Sequence, residues 1–425
     1  MTLRVALDNG AILLLDPMRE VRSLSIGFFV RAGSQDEPPA RQGLSHFLEH
    51  VLFKKTRRRT TIQVAREIDR LGGDVDAFTT REYTAFYAHT QDSRFAEALD
   101  LLADVVLGSA FARSHVETER GVILEEIGEA HDDPGDLVHE LFLDSFWEGH
   151  PLGAPILGTD ATIRAITHAD LRRHYASRYA PANLIISIAG HFAAEQAARA
   201  VEAALSSLPR RVRAGARRAR AHGRPRARRR VRLARRPGLE QVHVCLGGEA
   251  PDYGSPRRPA ASLVDVVLGG GASSRLFQAV REKRGLAYTV GSSLHCYRAG
   301  GYESIDASCA PRHLNRLVEV TLAELSRLAR RGVAPHELAR AKENLSGNLL
   351  LAMESTVSRM TWQARQELYF GRAVRVEDWL ARVDAVSVAE ASEEAARLLD
   401  GRRMAAAVVG DVETLAFSER DLAAL

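Results

Sequence analysis

His46-Phe47-Leu48-Glu49-His50 sets two imidazoles four residues apart, with a carboxylate beside them, inside an amphipathic helical run. At 3.6 residues per turn, His46 and His50 stack on one helical face, where both rings reach a single cation. Glu49 follows His46 by three residues and lies on nearly the same face. Its carboxylate can approach a metal-bound water without ligating the metal. Two neutral imidazoles, an open coordination position and a neighbouring base are the parts of a hydrolytic zinc site. A pair of surface histidines on an ordinary helix satisfies the same five-residue pattern, so the decision rests on the rest of the chain.

Zinc in a hydrolytic site takes three protein ligands and a water, so a third donor must lie elsewhere. The run Val116-Glu117-Thr118-Glu119-Arg120-Gly121-Val122-Ile123-Leu124-Glu125-Glu126-Ile127-Gly128-Glu129 is helical in pattern and dense in carboxylates. Glu119 and Glu126 are two turns apart and share a face, whereas Glu125 points elsewhere and Glu129 lies towards the helix end. Glu126 is the candidate third ligand, with Glu119 a carboxylate that orients a ligand or water. A solvated acidic face has the same spacing.

The surrounding blocks narrow the choice. HFLEHVLFKKT at 46–56 is followed by IDRLGGDVDAFTTREYTAFYAH at 68–89 and ERGVILEEIGEAHDDP at 119–134. HPLGAPILGT at 150–159 and RYAPANLIISIAGH at 178–191 come next. In that order and at those distances they resemble the M16 metallopeptidases, the pitrilysin and mitochondrial-processing-peptidase group. The match is to its short-chain bacterial branch and covers nearly the whole chain. H-x-x-E-H is also the order of the inverzincins. The resemblance implies one Zn2+ per chain held by His46, His50 and Glu126. Glu126 stands at the distance from His50 at which the family carries its third ligand, and Glu119 matches its assisting glutamate. Glu49 is then the base that takes a proton from the zinc-bound water and passes it to the leaving amine.

The same resemblance implies an α+β fold of two homologous domains, each a mostly antiparallel sheet backed by helices, as in the LuxS/MPP-like metallohydrolases. Asp76, Ala77, Phe78 and Thr79 match the family's N-A-x-T strand, whose edge pairs with an extended peptide. Asp76 replaces the asparagine of many relatives. Within GGGASSRLFQAVREKRGLAY at 269–288, Arg281 and Tyr288 match an arginine–tyrosine pair that closes over substrate and stabilises the oxyanion. The implied activity is that of a zinc endopeptidase acting on peptides or unfolded polypeptides inside a clam-shell chamber. Two chains are expected to pair, as a homodimer or with a paralogue. A catalytically silent subunit and an enzyme dedicated to one precursor peptide are the alternatives within the family.

Composition sets limits. A chain of 425 residues accommodates two to four domains. It contains no apolar run of about 18 residues, so no membrane span is expected. MTLRVALDNGAILLLDP reads as strand, Asn9-Gly10 turn and strand rather than as a targeting segment. Cys245, Cys296 and Cys309 lack metal spacing and are expected to be buried thiols in a reducing compartment, a bacterial cytoplasm. The formal charge of +4 hides a segment, 209–238, with fourteen arginines and no acidic residue. It reads as an arginine-rich linker. It lacks the interleaved aromatics that would stack on bases, so nucleic acid is not expected as a partner.

That linker divides the chain into a zinc-binding domain at 1–208 and a second domain at 239–425. The first half reads as strands 11–16 and 22–32, the metal helix, a helix near 60–71, strands near 73–91 and a helix near 94–107. The second repeats the order with a strand at 241–248, helices near 258–269 and 273–284, strands near 286–309 and a helix near 312–331. Late strands at 183–190 and 403–410 end the two halves alike. The counterpart of HFLEH is SLVDVVLGG at 262–270, which has no histidine pair. Met353, Met360 and Trp362 read as core rather than functional residues.

Overall fold

The computed structural model describes residues 2–206 and 223–425. The first half runs β1 (Leu3–Ala6), β2 (Ile12–Pro17), β3 (Ser23–Val30), α1 (Leu44–Leu52), α2 (Thr61–Leu71), β4 (Asp74–Thr79), β5 (Thr84–Gln91) and α3 (Phe95–Leu107). It continues with α4 (Arg113–Asp132), α5 (Pro134–Phe146), α6 (Asp160–Ala165), α7 (His168–Arg178), β6 (Leu184–Gly190) and α8 (Ala194–Ala204). The second half runs β7 (Val231–Arg235), β8 (Val242–Ala250), α9 (Arg258–Leu268), β9 (Thr289–Cys296), β10 (Gly301–Cys309) and α10 (Leu314–Arg331). It ends with α11 (Pro335–Ala352), α12 (Thr356–Phe370), α13 (Val376–Asp384), α14 (Val388–Leu398), β11 (Met404–Gly410) and α15 (Glu419–Ala423).

The strands form two sheets of matching plan, ordered β1-β2-β6-β3-β5-β4 and β7-β11-β8-β10-β9. Each contains one parallel pair, β2 with β6 and β7 with β11, among otherwise antiparallel neighbours. The α+β reading of two sheets backed by helices therefore holds. In the first sheet β3 and β6 are buried along nearly their whole length, which is why LIISIAG reads as a continuous apolar run.

Three readings need correction. Residues 231–235, taken as linker, are strand β7, the counterpart of β2. Alternating arginines disguise it, because Arg232 and Arg235 face solvent while Val231, Leu233 and Ala234 are partly covered. Its neighbours make ion pairs: Arg228 and Arg230 each meet Glu148 at 3.3 Å, and Arg235 meets Asp411 at 3.5 Å. Residues 209–222 of the same reading lie outside the described residues.

The 273–284 helix is instead a short π-helical turn, Phe277–Glu282, in which Lys283 N–H donates to the Gln278 carbonyl five residues back. Such turns insert one residue per turn and re-aim the side chains that follow. Thirdly, the two compact units do not coincide with the two halves of the sequence. Unit 1 takes Leu350–Arg375 from the second half, and unit 2 takes Gly128–Gly153 from the first. The reason lies in packing. Met360, Ala364 and Leu368 of α12 share a core with Leu14, Phe29, Ala85 and Ile185 of the first sheet. Val138, Phe142 and Phe146 of α5 share one with Cys245, Tyr302 and Ala407 of the second. Met360 is thus core, as expected. Of the cysteines, Cys245 and Cys309 are buried and Cys296 is only partly covered.

Candidate active site

Helix α1 divides its residues by face. Leu44, Phe47, Leu48, Val51 and Leu52 are buried in the core of unit 1, leaving His46, Glu49 and His50 together on the opposite side. Two features fix where the helix begins. Gly43 precedes it at φ +88°, and a Cβ there would collide with the Leu157 carbonyl and Ile163. Glu37 caps the first turn: its Oε2 accepts from Gly43 N–H at 2.7 Å and its Oε1 from Ser45 N–H at 2.6 Å. Burial pushes the Glu37 carboxyl up to about 8 against the pull of these donors.

Helix α4 supplies the facing carboxylates. The Nε2 atoms of His46 and His50 are 3.3 Å apart. Glu126 Oε2 lies 3.4 Å from His50 Nε2 and 3.7 Å from His46 Nε2. Ligand atoms about 2.0–2.2 Å from one tetrahedral zinc are about 3.3–3.6 Å apart, so all three fit a common ion. Glu126 Oε2 is also buried without a hydrogen bond, an orphan that a cation would satisfy. Burial, with His50 adding to it, holds His46 down to about 3, so its ring is neutral and a lone pair is available.

Glu119, only 3% exposed, stands behind His50. The His50 Nδ1–H donates to Glu119 Oε2 at 3.3 Å, which places the free lone pair on Nε2. Lys54 Nζ holds the other Glu119 oxygen at 3.0 Å. Glu49 lies beside the three donors, its Oε2 accepting from Thr79 Oγ1 at 2.5 Å. Burial lifts the Glu49 carboxyl to about 7; Thr79 lowers it, and the Asp76 and Glu126 charges raise it. A carboxyl balanced near neutrality can both take and return a proton.

The structure thus brings His46, Glu49, His50, Glu119 and Glu126 together within unit 1. Asp76, Ala77, Phe78 and Thr79 lie on β4, which among the described residues pairs only with β5 and forms an edge of the first sheet. Thr79 reads in the sequence only as part of that strand; its grip on Glu49 was missed, as were Lys54 and Glu37. No spacing signals a contact between residues 30 apart on different elements. In unit 2, Arg281 sits in the π-helical turn with its guanidinium 4.4 Å from the Tyr288 ring centre and 4.8 Å from that of Phe277. Tyr288 is 78% exposed, unusual for so large an aromatic side chain.

A chain with this fold and this donor set belongs to a defined class of peptidases. Residues 16–160 match the family model Insulinase (Peptidase family M16), and residues 165–345 match Peptidase M16 inactive domain. The chain is 37% identical over 419 residues to an uncharacterized zinc protease of Streptomyces coelicolor, covering 96% of this chain and 90% of that protein. It is 35% identical over 386 residues to the uncharacterized zinc protease YmxG of Bacillus subtilis, covering 91% and 92%. A protease from Helicobacter pylori shares the fold at a TM-score of 0.91 and 19% identity, over 96% of this chain and 99% of that one. A Pseudomonas fluorescens structure titled peptidase M16 inactive domain does so at 0.89 and 21%, over 97% and 98%. The chain belongs to peptidase family M16. Among the described residues no helix is long and apolar enough to cross a membrane.

Proposed function

We propose that this protein is a zinc-dependent endopeptidase that hydrolyses peptides and unfolded polypeptides with the help of Glu49. The observation that carries the reading is the convergence of His46 Nε2, His50 Nε2 and Glu126 Oε2 at tetrahedral spacing, with the Glu49 carboxyl beside them. These three residues would hold one Zn2+, which supplies Lewis acidity to water and to the scissile carbonyl when bound.

The chain's own groups do the rest. Glu119, braced by Lys54, keeps the His50 ring in the tautomer that exposes Nε2. Glu49, held by Thr79, accepts the proton of the attacking water and returns it to the leaving amine. The edge of β4 pairs with an extended peptide, aligning its carbonyls along the strand that carries Thr79. Arg281 and Tyr288, facing the zinc site of a second copy of the chain across the subunit interface, donate hydrogen bonds to the carbonyl oxygen as it gains charge. In this reading a homodimer encloses the peptide in a chamber, and the enzyme works in the bacterial cytoplasm.

The test incubates purified, metal-quantified protein with a mixed peptide library and with a folded protein, with and without chelator. Cleavage of the peptides that chelator stops and Zn2+ restores, with the folded protein intact, is the expected result. Chelator-insensitive cleavage overturns the metal dependence, and no cleavage by zinc-loaded protein overturns the reading in favour of a silent subunit.

A further inference from the structure

Among the described residues, two sets of three donor side chains bring their ligand atoms within 4.8 Å of one another. One is the set of unit 1. The other lies wholly in unit 2 and joins His139 of α5, Cys245 of β8 and Asp306 of β10. Cys245 and Asp306 are directly opposite each other on the β8–β10 ladder, so their side chains leave the sheet on one face as neighbours. Helix α5 packs on that face through Val138, Phe142 and Phe146. His139 approaches the pair from α5, its Nε2 3.4 Å from Asp306 Oδ1.

One edge of this triangle has the spacing found in the first site. The 3.4 Å between Nε2 and Oδ1 is the separation of two ligands on one tetrahedral zinc. Asp306 Oδ1 is buried without a hydrogen bond, while Ser304 Oγ donates to Oδ2 at 3.0 Å and fixes the carboxylate plane. Cys245 is fully buried, whereas the His139 and Asp306 side chains are 45% and 30% exposed, so a further position opens to solvent. The chemistry of the donors is selective: a thiol, an imidazole and a carboxylate suit zinc and its neighbours rather than calcium or magnesium. The set is distinct from the counterpart of the α1 site, because Glu303, three residues along β10, leaves the opposite face.

We propose that His139, Cys245 and Asp306 form a second metal site that takes a divalent transition-metal ion, Zn2+ in the cell, and clamps α5 onto β8 and β10. On binding, the Cys245 S–H proton passes to solvent as the metal–sulfur bond forms, and His139 and Asp306 donate as neutral imidazole and carboxylate. The two negative ligands balance the ion's charge.

The two sites can be told apart by sulfur. Metal-stripped full-length protein is titrated with CoCl2 and followed by absorbance. The unit 1 donors are nitrogen and oxygen only, so a thiolate-to-cobalt charge-transfer band in the near ultraviolet reports the unit 2 site alone. The expected result is that band with a second equivalent of bound cobalt. Cys245→Ala should lose both while its peptide hydrolysis stays unchanged. Ser304→Ala should keep the band with affinity weakened about 10- to 100-fold. His139→Ala alters a half-exposed helix residue, tolerates folding whatever Cys245→Ala does, and should lose the second equivalent. A wild-type protein that fills one site with no thiolate band, or a band that survives in His139→Ala, overturns the proposal.

Discussion

Helices α1 and α9 pack against the edge strands β4 and β9 of two sheets of similar plan, and three of the positions at which they differ carry the chemistry. Setting the helix ends Leu52 and Leu268 together aligns His46 with Ser262, Glu49 with Asp265 and His50 with Val266. The carboxyl and its hydroxyl partner persist: Glu49 accepts from Thr79 on β4, and Asp265 accepts from Ser292 on β9 at 2.6 Å. The imidazoles do not. In unit 1 the carboxylates face a place for a cation, and Glu49 is held near neutrality. In unit 2 burial raises both Asp265 and Glu303, and no metal-binding set forms on that face among the described residues. Without the two histidines, the corresponding face of unit 2 holds buried carboxyls whose pKa values burial raises.

The comparison can be broken most severely at His50. His50→Ala should lose both zinc and peptidase activity, read by metal analysis and peptide cleavage; a variant that keeps its zinc would remove His50 from the ligand set. Glu49→Gln should keep zinc and lower kcat about 10²–10⁴-fold, since the amide cannot accept the proton. Full activity in that variant would contradict the role given to Glu49. Arg281→Ala and Tyr288→Phe should each lower kcat about 10²-fold with zinc content unchanged, the cost of one oxyanion donor. A change confined to KM would make them binding residues instead. Glu119→Gln should weaken zinc about 10- to 100-fold, measured by competition with a chelator.

The smallest effect concerns the buried carboxyls of unit 2. Glu303 holds its proton when folded, well above the pH at which the unfolded chain releases it. Its contribution is fully present below the ordinary carboxylate range and is lost as pH rises towards its folded value. Over that window stability should fall by up to about 1.4 kcal/mol per pH unit. Glu303→Gln should flatten that slope in urea unfolding at several pH values; an unchanged slope would mean that Glu303 is not its source.

The candidate metal ligands were readable because helical spacing is local. His46, His50 and Glu49 follow from 3.6 residues per turn, Glu119 pairs with Glu126 by the same rule, and family resemblance supplied the distance between the helices. Strand β7 was not readable, since its alternation is carried by arginines whose exposed positions resemble a charged linker. The π-helical turn at Phe277–Glu282 was hidden because its residues have ordinary helical periodicity.

Residue order and spacing were enough for the succession of most strands and helices, the repeated order of the two halves and the ligand candidates within each helix, all of which rest on short-range periodicity; the two-sheet architecture and the distance between the two helices came from the family resemblance. Packing alone assigned α5 to the second unit and α12 to the first, because an amphipathic face does not state which sheet will cover it. Packing also paired Thr79 with Glu49 and Lys54 with Glu119. It gathered His139, Cys245 and Asp306, which no motif links, because register across a ladder and the seating of a helix are fixed only when the chain has folded.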